Sequence, residues 1–405
     1  MKIALVSEHA SPLAMLGSVD AGGQNVHVAE LARALARLGA EVVVHTRRDD
    51  PELPRRVMFA PGVVVDHVAA GPACPIAKDD LLRYMDEFAV GLQRAWSRDR
   101  PGVVHSHFWM SGYASLLACR AADLPLAHTY HALGAVKLRH QGSSDTSPDR
   151  RIAIERDIAR EADVIIATSA DERRELVGMG AEAGRICVVP CGVDLDNFSV
   201  RGGALPRRTR RRRVVVVSRL VERKGIGNVV EALQWLPDVE LLVAGGPPSP
   251  LLDDDPQACR LQRLVHQLGL EDRVRMLGAI DHAQVPQLMR SADIVACCPW
   301  YEPFGLVAVE AMACGIPVVA TAVGGLAESV LPGTTGALVP PRDPRAIAEA
   351  VASLLGDEAR RKRVARNAAD RAQRFGWDQI AVETYARLAE LTRQPARSPG
   401  RSAFK

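Results

Sequence analysis

Short runs of Val, Ile and Leu alternate along the chain with longer stretches in which apolar residues recur at helical spacing. Continuous apolar runs are typical of strands buried on both faces, and the longer stretches are typical of helices that cover a sheet. In the first half, this pattern predicts strands at 2–7, 41–46, 63–68, 103–107, 126–130, 164–168 and 186–189. It predicts helices at 24–38, 79–97, 111–122, 149–161 and 170–179.

A second alternating series begins after a break in the pattern. Residues 195–213 are rich in Gly, Pro and Arg, which is typical of a connection between domains. Beyond it, strands are predicted at 214–218, 239–244, 273–277, 294–297 and 317–321. Helices are predicted at 226–236, 257–268, 283–290, 305–314, 344–355, 358–374 and 378–392.

The two series predict an α/β protein with two Rossmann-like, doubly wound parallel-sheet domains that face each other across a cleft. The predicted division is an N-terminal domain at 1–195, a linker at 196–213, a C-terminal domain at 214–376, a terminal helix at 377–393 and a flexible tail at 394–405.

Composition narrows the class of protein. The 405 residues are 47% hydrophobic and 24% charged, with a net charge of +3, which excludes disordered, collagen-like and coiled-coil chains. The balanced charge argues against a dedicated nucleic-acid binder. No apolar run approaches the roughly 20 residues that span a bilayer, and the N-terminus resembles a strand more than a signal peptide. Eight cysteines without a Cys-x-x-Cys pair indicate reduced thiols, so we expect a cytoplasmic protein.

In open parallel sheets, ligands bind beyond the carboxyl ends of the strands. The loop after the first predicted strand contains Gly22 and Gly23 and leads into a helix whose N-terminal amides can hold an anion. The loop after strand 214–218 places Arg219 and Lys224 together, and two cations in a cleft can neutralise a diphosphate without a metal.

The segment 301–321 carries carboxylates within an unusually apolar stretch. Glu302 is expected at the start of a helix that begins near Phe304 or Gly305, and Glu310 about two turns further on. An unpaired charge in such surroundings is costly, which favours a functional role. Two carboxylates at this spacing suit the hydroxyl groups of a sugar and a ribose.

These features together resemble the retaining glycosyltransferases of glycosyltransferase family 4. The motifs that carry the resemblance occur in the family's order: Gly22-Gly23, Val189-Pro190-Cys191-Gly192-Val193-Asp194, Arg219 with Lys224, and Glu302-Pro303-Phe304-Gly305 with Glu310. The likeness extends to about residue 387. It implies the GT-B architecture, in which the C-terminal domain holds most of the nucleotide sugar, the N-terminal domain binds the acceptor and the last helix crosses back.

The resemblance also implies roles for individual residues. The implied catalytic residues are His131, Arg219, Lys224 and Glu302. The implied donor-binding residues are Gly22, Gly23, Arg219, Lys224, Glu302, Phe304, Gly305, Leu306, Val307 and Glu310. In this scheme the two cations contact the diphosphate, Glu302 holds the transferred sugar, Glu310 binds the ribose and His131 lies beside the donor sugar.

The acceptor is less constrained. Implied acceptor-binding residues are Asn25, Lys78, Phe108, Ala132 and Arg151. Within the family, the nearest likeness in motif is to the mycothiol-pathway enzymes that join N-acetylglucosamine to inositol 3-phosphate, and more loosely to sucrose-phosphate synthases. Where those mycothiol enzymes offer Tyr and Thr hydroxyls, this chain has Phe108 and Ala132. The sequence therefore predicts transfer from a UDP or GDP sugar to a small polar or natural-product acceptor, with inositol 3-phosphate as an alternative.

Three other classes of protein have weaker support in the sequence. The pattern Asp194-x-Asp196 and the cluster 253–255 are short acidic patterns expected in loops, and His105 with His107 lacks a third ligand at a suitable spacing, so no metal is predicted. The run 207–213 holds six arginines and leaves open a protein that binds nucleic acid or an anionic membrane. An oxidoreductase is disfavoured because the first loop lacks Gly-x-Gly-x-x-Gly. No cofactor is expected, and a homodimer is among the assemblies left open.

Overall fold

Two parallel sheets organise the part of the chain that the computed structural model describes, residues 1–13 and 22–393. The strands of the first sheet are β1 (Lys2–Val6), β2 (Glu41–Arg47), β3 (Arg56–Ala60), β4 (Val63–Val68), β5 (Val103–His107), β6 (Leu126–Thr129), β7 (Val164–Ala167) and β8 (Ile186–Val188). Those of the second are β9 (Arg212–Val217), β10 (Val239–Ala244), β11 (Val274–Gly278), β12 (Ile294–Cys297), β13 (Val318–Thr321) and β14 (Gly336–Val339).

Helices flank both sheets. They are α1 (Gly23–Arg37), α2 (Met85–Arg98), α3 (Trp109–Ala122), α4 (Gly134–Gln141), α5 (Arg151–Glu161), α6 (Ala170–Gly178), α7 (Ile226–Ala232), α8 (Pro256–Gln267), α9 (Val285–Arg290), α10 (Leu306–Ala313), α11 (Leu326–Ser329), α12 (Pro344–Leu355), α13 (Glu358–Ala372) and α14 (Trp377–Arg393). Single-turn and longer 3-10 segments extend or join them at 78–84, 142–144, 183–185, 222–224, 233–235, 249–254, 282–284 and 373–375.

The order of the strands creates one crevice in each sheet. The first sheet runs β3-β4-β2-β1-β5-β6-β7-β8, and the second runs β11-β10-β9-β12-β13-β14. Every pairing is parallel except that of the edge strand β3 with β4. The order reverses between β1 and β5 and again between β9 and β12, and such reversals open a ligand crevice at the carboxyl ends of the strands. The doubly wound architecture predicted from the sequence is confirmed.

The chain crosses twice between the two cores. Val189 is buried with the first sheet, whereas Cys191 and Val193 are buried with the second. On the return, Phe375 belongs to the second core and Trp377 to the first. We call the part built on the first sheet, with α14, the N-terminal half, and the part built on the second sheet the C-terminal half. These cores separate a few residues before the predicted boundary at 195, and the domain limits themselves stay a prediction.

Gly192 lies at this double crossing because no side chain fits there. A Cβ atom on it would stand 2.3 Å from Trp377 Cδ2. The Val193 amide donates to the Phe375 carbonyl oxygen over 2.7 Å, which joins the two crossing segments. The indole of Trp377 therefore lies directly against the backbone that links the halves, and α14 starts there.

Several predicted limits differ from the structure. The predicted helix at 79–97 is a 3-10 segment followed by α2, and Glu310 lies one turn into α10 instead of two, because Gly305 (φ 90°) is the cap that precedes the helix. The sequence pattern does not predict the short strands β3 and β14 or the helices α4 and α11. Such short elements hold their form through tertiary contacts more than through periodicity.

The arginine-rich run is engaged in ion pairs within the fold. Arg207 and Arg212 pair with Asp293, over 2.9 and 3.3 Å, and Arg211 pairs with Asp272 over 2.7 Å. The fully buried Arg213 pairs with Glu240 over 2.7 Å. These pairs tie the run to the C-terminal half, which removes much of the reason for assigning it to a polyanion. None of the helices in the described ranges has the length and apolar character needed to cross a bilayer.

We expect α14 to contribute strongly to stability because its apolar face is buried on the first sheet. Leu388 is fully buried, whereas Val382 on the same helix is 48% exposed. Leu388→Ala should lower the free energy of unfolding by about 2–5 kcal/mol, and Val382→Ala by less than about 1 kcal/mol. Urea unfolding followed by circular dichroism measures both changes. Equal losses for the two variants would contradict the packing of α14.

Candidate active site

The loop after β9 is held rigidly against the end of β12. Gly225 has φ 68°, and a Cβ atom there would stand 1.9 Å from the carbonyl oxygen of Cys298. The Trp300 amide donates to the Arg223 carbonyl oxygen over 2.8 Å. Because β9 and β12 flank the crevice of the second sheet, this close contact fixes the loop that carries Arg219 and Lys224 at its mouth.

Lys224 and Glu302 form an ion pair across the crevice, and both side chains are largely buried. Burial raises the pKa of the Glu302 carboxyl, but attraction to Lys224, their hydrogen bond and the nearby Arg223 and Arg219 outweigh it and hold that pKa below its usual range. The carboxylate therefore stays ionised at neutral pH, and the stabilisation from the pair is lost only as pH falls through the lowered pKa. Arg219 itself is exposed at the rim.

The start of α10 lies beside this pair. Gly305 adopts φ 90°, and a Cβ atom there would stand 2.3 Å from Leu326 Cδ2, so a larger residue would have to displace that side chain. Because the cap residue is a glycine, it has no side chain that could accept a hydrogen bond from the first amides of α10, those of Leu306 and Val307. Free amides at the positive end of a helix are suited to an oxyanion such as a phosphate.

Glu310 lies one turn along α10 and is paired with a histidine. His282 Nε2 lies 3.9 Å from Glu310 Oε1. The interaction with this nearby carboxylate raises the pKa of His282 above its ordinary value. His282 was not identified from the sequence, although it follows β11 at the carboxyl edge of the sheet, where the same rule about strand ends applies.

The N-terminal half presents the start of α1 to the start of α10. Gly22 is the cap and Gly23 the first helical residue, and a Cβ atom on Gly23 would lie 3.1 Å from Leu306 Cδ1. The Asn25 side chain accepts from the Gly22 amide over 3.0 Å and donates to the Ser11 carbonyl oxygen over 3.1 Å. Asn25, predicted to bind the acceptor, thus uses its amide to shape the glycine loop.

His131 occupies a strained position just beyond β6. Its φ is 60°, a left-handed conformation that is costly for a residue with a side chain and that often marks a functional site. His131 Nε2 lies 3.0 Å from Nδ1 of His107, which ends β5, and its ring is 4.8 Å from that of His27. Burial holds the pKa of all three histidines well below the ordinary range, with that of His27 lowered to about 4. They are therefore neutral at pH 7.

Cations and an aromatic ring gather near the first crevice. Lys78 Nζ lies 5.6 Å and Arg151 Cζ 5.2 Å from the centre of the Phe108 ring. Burial lowers the pKa of Lys78, attraction to Asp79 opposes this, and repulsion from Lys137, Arg151 and Arg219 adds to the lowering. Among the described residues, Lys137 and Arg151 have carboxylate partners in Asp145 and Glu155, over 2.8 Å each, and no such pair is formed by Lys78.

Arg151 forms several hydrogen bonds within the N-terminal half. It donates to Glu155 Oε1, to the Ser147 hydroxyl and to the Ala132 carbonyl oxygen, over 2.8, 3.2 and 2.9 Å. Glu155 in turn accepts from the Gly134 amide. This network shapes the turn that carries His131 and Ala132, so Arg151 positions the turn. Lys78 is a cation at this edge that forms no ion pair within residues 1–13 and 22–393.

Two contacts join the halves beside the crevice. The Tyr301 ring stacks on that of His140 with the centres 5.2 Å apart. The Glu328 carboxylate accepts from the amides of Ala170 and Asp171, over 2.9 Å each, and so caps α6 from the other half. Sequence analysis missed these residues because pairing between halves leaves no local pattern.

Sequence analysis also missed His27, although a signal for it exists. His27 follows Gly23 by one helical turn, so both side-chain positions lie on the same face of α1. The predicted site residues thus come together in two groups. One surrounds the Lys224–Glu302 pair at the second crevice, and the other surrounds His131 and Lys78 at the first.

The fold and the comparisons define the class of this protein as a glycosyltransferase of the GT-B architecture that uses a nucleotide sugar. Residues 21–197 match the description "Glycosyltransferase Family 4" and residues 203–371 match "Glycosyl transferases group 1". The chain therefore belongs to glycosyltransferase family 4, as its motifs predicted.

Named relatives cover almost the whole chain. It is 40% identical to the D-inositol 3-phosphate glycosyltransferase of Xylanimonas cellulosilytica, over 98% of each chain. It is 41% identical to the protein of that name from Mycobacterium tuberculosis, over 93% of this chain and 80% of the relative. The solved sucrose-phosphate synthase of Thermosynechococcus elongatus has a TM-score of 0.88 and 34% identity, over 96% of this chain and 98% of that one.

We expect the cation loop to depend on glycine at position 225. Gly225→Ala should lower the free energy of unfolding by clearly more than the roughly 1–2 kcal/mol that a left-handed residue costs, because its Cβ would also strike Cys298. The matched control is Gly269→Ala, directly after α8, where φ is 62° and no atom lies within 4 Å of an added Cβ. Thermal and urea unfolding of both variants measure the difference. A Gly225 variant as stable as the control would show that the loop contact is not rigid.

Proposed function

We propose that this enzyme transfers a sugar from a UDP or GDP sugar to a small anionic acceptor, with retention of configuration and without a metal at the diphosphate. The observation that carries the proposal is the convergence of Arg219, Lys224 and the glycine-opened start of α10 at the second crevice. Fixed cations and backbone amides that face the departing group stabilise the charge that develops on it.

The Lys224–Glu302 pair supports a role in both binding and chemistry. In the structure each charge compensates the other in a largely buried place. A diphosphate would give Lys224 a second anionic partner, and Glu302 would then be free to accept hydrogen bonds from the hydroxyl groups of the transferred sugar. Two cations can balance a diphosphate directly, which supports chemistry without a divalent ion.

The donor sugar would lie between the halves. Glu310, with His282 beside it, is placed one turn into α10 and would accept from the ribose hydroxyls. His131 from the opposite half would contact the sugar. Attack from the face that the diphosphate leaves, through a short-lived oxocarbenium-like species, follows from the family resemblance and gives retention. The contacts of Tyr301 and Glu328 across the halves support closure of the site around the donor.

The acceptor would carry an anionic group. Lys78 is held among other cations without a carboxylate partner in the described structure, and a phosphate or carboxylate would relieve that repulsion. The name of the relatives, D-inositol 3-phosphate glycosyltransferase, supports a phosphorylated polyol and the alternative of N-acetylglucosaminyl transfer to inositol 3-phosphate. Phe108 and Ala132 offer no hydroxyl, so specificity would rest on charge and shape.

The eight free thiols support the cytoplasm, a reducing compartment, as the place of this reaction. A homodimer remains an assembly that light scattering can test. The arginine run at 207–213 is the basis of the rival reading as a polyanion-binding protein, and its internal ion pairs weigh against that reading.

The proposed role of Lys224 at the donor diphosphate is tested with Lys224→Ala. Thermal-shift screening of the wild type with UDP, GDP and ADP identifies the base, because a ligand that binds only the folded state raises its melting temperature. With the matching nucleotide sugar, kcat of Lys224→Ala should fall ~100-fold or more. The control is Lys362→Ala, which removes a surface pair with Glu358 and should leave kcat unchanged within about twofold. An unchanged kcat for the Lys224 variant would refute the proposed role.

The proposed role of Lys78 in acceptor binding is tested with Lys78→Ala. With inositol 3-phosphate as acceptor, KM for the acceptor should rise about tenfold or more, and KM for the donor should stay nearly constant, because only the anionic group loses its partner. Lys78→Arg should restore part of the affinity. Unphosphorylated inositol should show the same weak binding with wild type and variant. If Lys78→Ala leaves KM for every anionic acceptor unchanged, the acceptor does not bind there.

A further inference from the structure

We infer that His27, His107 and His131 form a binding site for a borderline transition-metal ion such as Zn²⁺ or Co²⁺, with three imidazole ligands. One ring nitrogen from each lies within 4.8 Å of the others. This juxtaposition brings together the helix α1, the end of β5 and the residue that follows β6. It is separate from the cations of the second crevice, which face the diphosphate.

The geometry of the cluster is close to that of a metal-binding triad. The two ring nitrogens of His107 and His131 that face each other are 3.0 Å apart. Imidazole nitrogens on one tetrahedral zinc ion, each at about 2.0–2.1 Å from the metal, are about 3.4 Å apart. His131 is only half-buried, so its side chain has room for the adjustment that brings the third distance into range.

An unpartnered nitrogen of His27 independently indicates a ligand. His27 is 5% exposed, yet its Nδ1 has no hydrogen-bond partner in the described structure, whereas the Nδ1 of the fully buried His107 faces His131. Buried polar atoms without partners are rare and call for an explanation. Burial also keeps these imidazoles neutral, which is the form that binds metals.

Imidazole ligands favour some metal ions over others. Three imidazoles without a carboxylate suit Zn²⁺, Co²⁺, Ni²⁺ or Cu²⁺, whereas Mg²⁺ and Ca²⁺ require oxygen ligands. A bound ion would hold the ring of His131 and keep it from the donor sugar. This consequence rests on the proposed function, in which His131 lies beside that sugar, and it makes the metal an inhibitor of transfer.

The binding test uses Co²⁺, whose visible absorption reports tetrahedral coordination. Titration of the full chain should give an intense band that saturates at one ion per chain and disappears when Zn²⁺ displaces Co²⁺. His27→Gln should lose the band. His266→Gln is the matched control, because His266 is an exposed histidine paired with Glu271 elsewhere on the surface, and this variant should keep the band. Circular dichroism verifies that both variants are folded.

Three results would overturn the site. They are no tetrahedral band in the wild type, an equal band in His27→Gln, and a band that depends on His266. Should His27→Gln fail to fold, imidazole NMR signals of the wild type provide the second measurement, and Zn²⁺ must shift those of three histidines together. Transfer is assayed separately. Loss of transfer on addition of Zn²⁺, restored by a chelator, supports the inhibition, whereas a chain without any transferase activity leaves the spectroscopic result decisive for the metal site.

Discussion

A charge buried at the mouth of a crevice must be compensated, and the Lys224–Glu302 pair meets that constraint at the second crevice. The pair links two loops that follow neighbouring strands, and the loops hold their form because Gly225 allows them to touch. Because the pair is preorganised, a diphosphate that contacts Lys224 would require little rearrangement. Under the proposed function, the same pair would both stabilise the crevice and receive the diphosphate.

Each of the two crevices would supply only part of the proposed site. Each lies where the order of strands reverses, and the starts of α1 and α10 meet at Gly23 and Leu306. The double crossing of the chain at Gly192 and Trp377 holds the halves at their base, while Tyr301 and Glu328 link them beside the crevices. Under the proposed function, a donor on one sheet and an acceptor on the other would approach each other there while water is excluded.

The histidines of the first crevice differ from the Lys224–Glu302 pair because they are neutral. Three neutral imidazoles are gathered where a sugar would be held, and none of them is balanced by a carboxylate within the cluster. Neutral rings can contact a sugar without competing for the charge of the diphosphate. Neutral imidazoles are also potential metal ligands. Contact with the donor sugar and metal binding would therefore compete for the side chain of His131.

The sequence by itself determined the parallel-sheet class, the order of most strands and the motifs around Glu302 and Lys224, because strand burial and strand-end loops leave local patterns. It did not determine β3, β14 or α4, whose short lengths give weak periodicity. Tertiary structure alone decided that Arg151 donates to the Ala132 carbonyl oxygen and that His27 joins His107 and His131. It also decided that Lys78 lies against the Phe108 ring and forms no ion pair within the described residues. The reason is physical: these outcomes depend on distances between residues far apart in the chain, and a pattern along one chain carries no such distances.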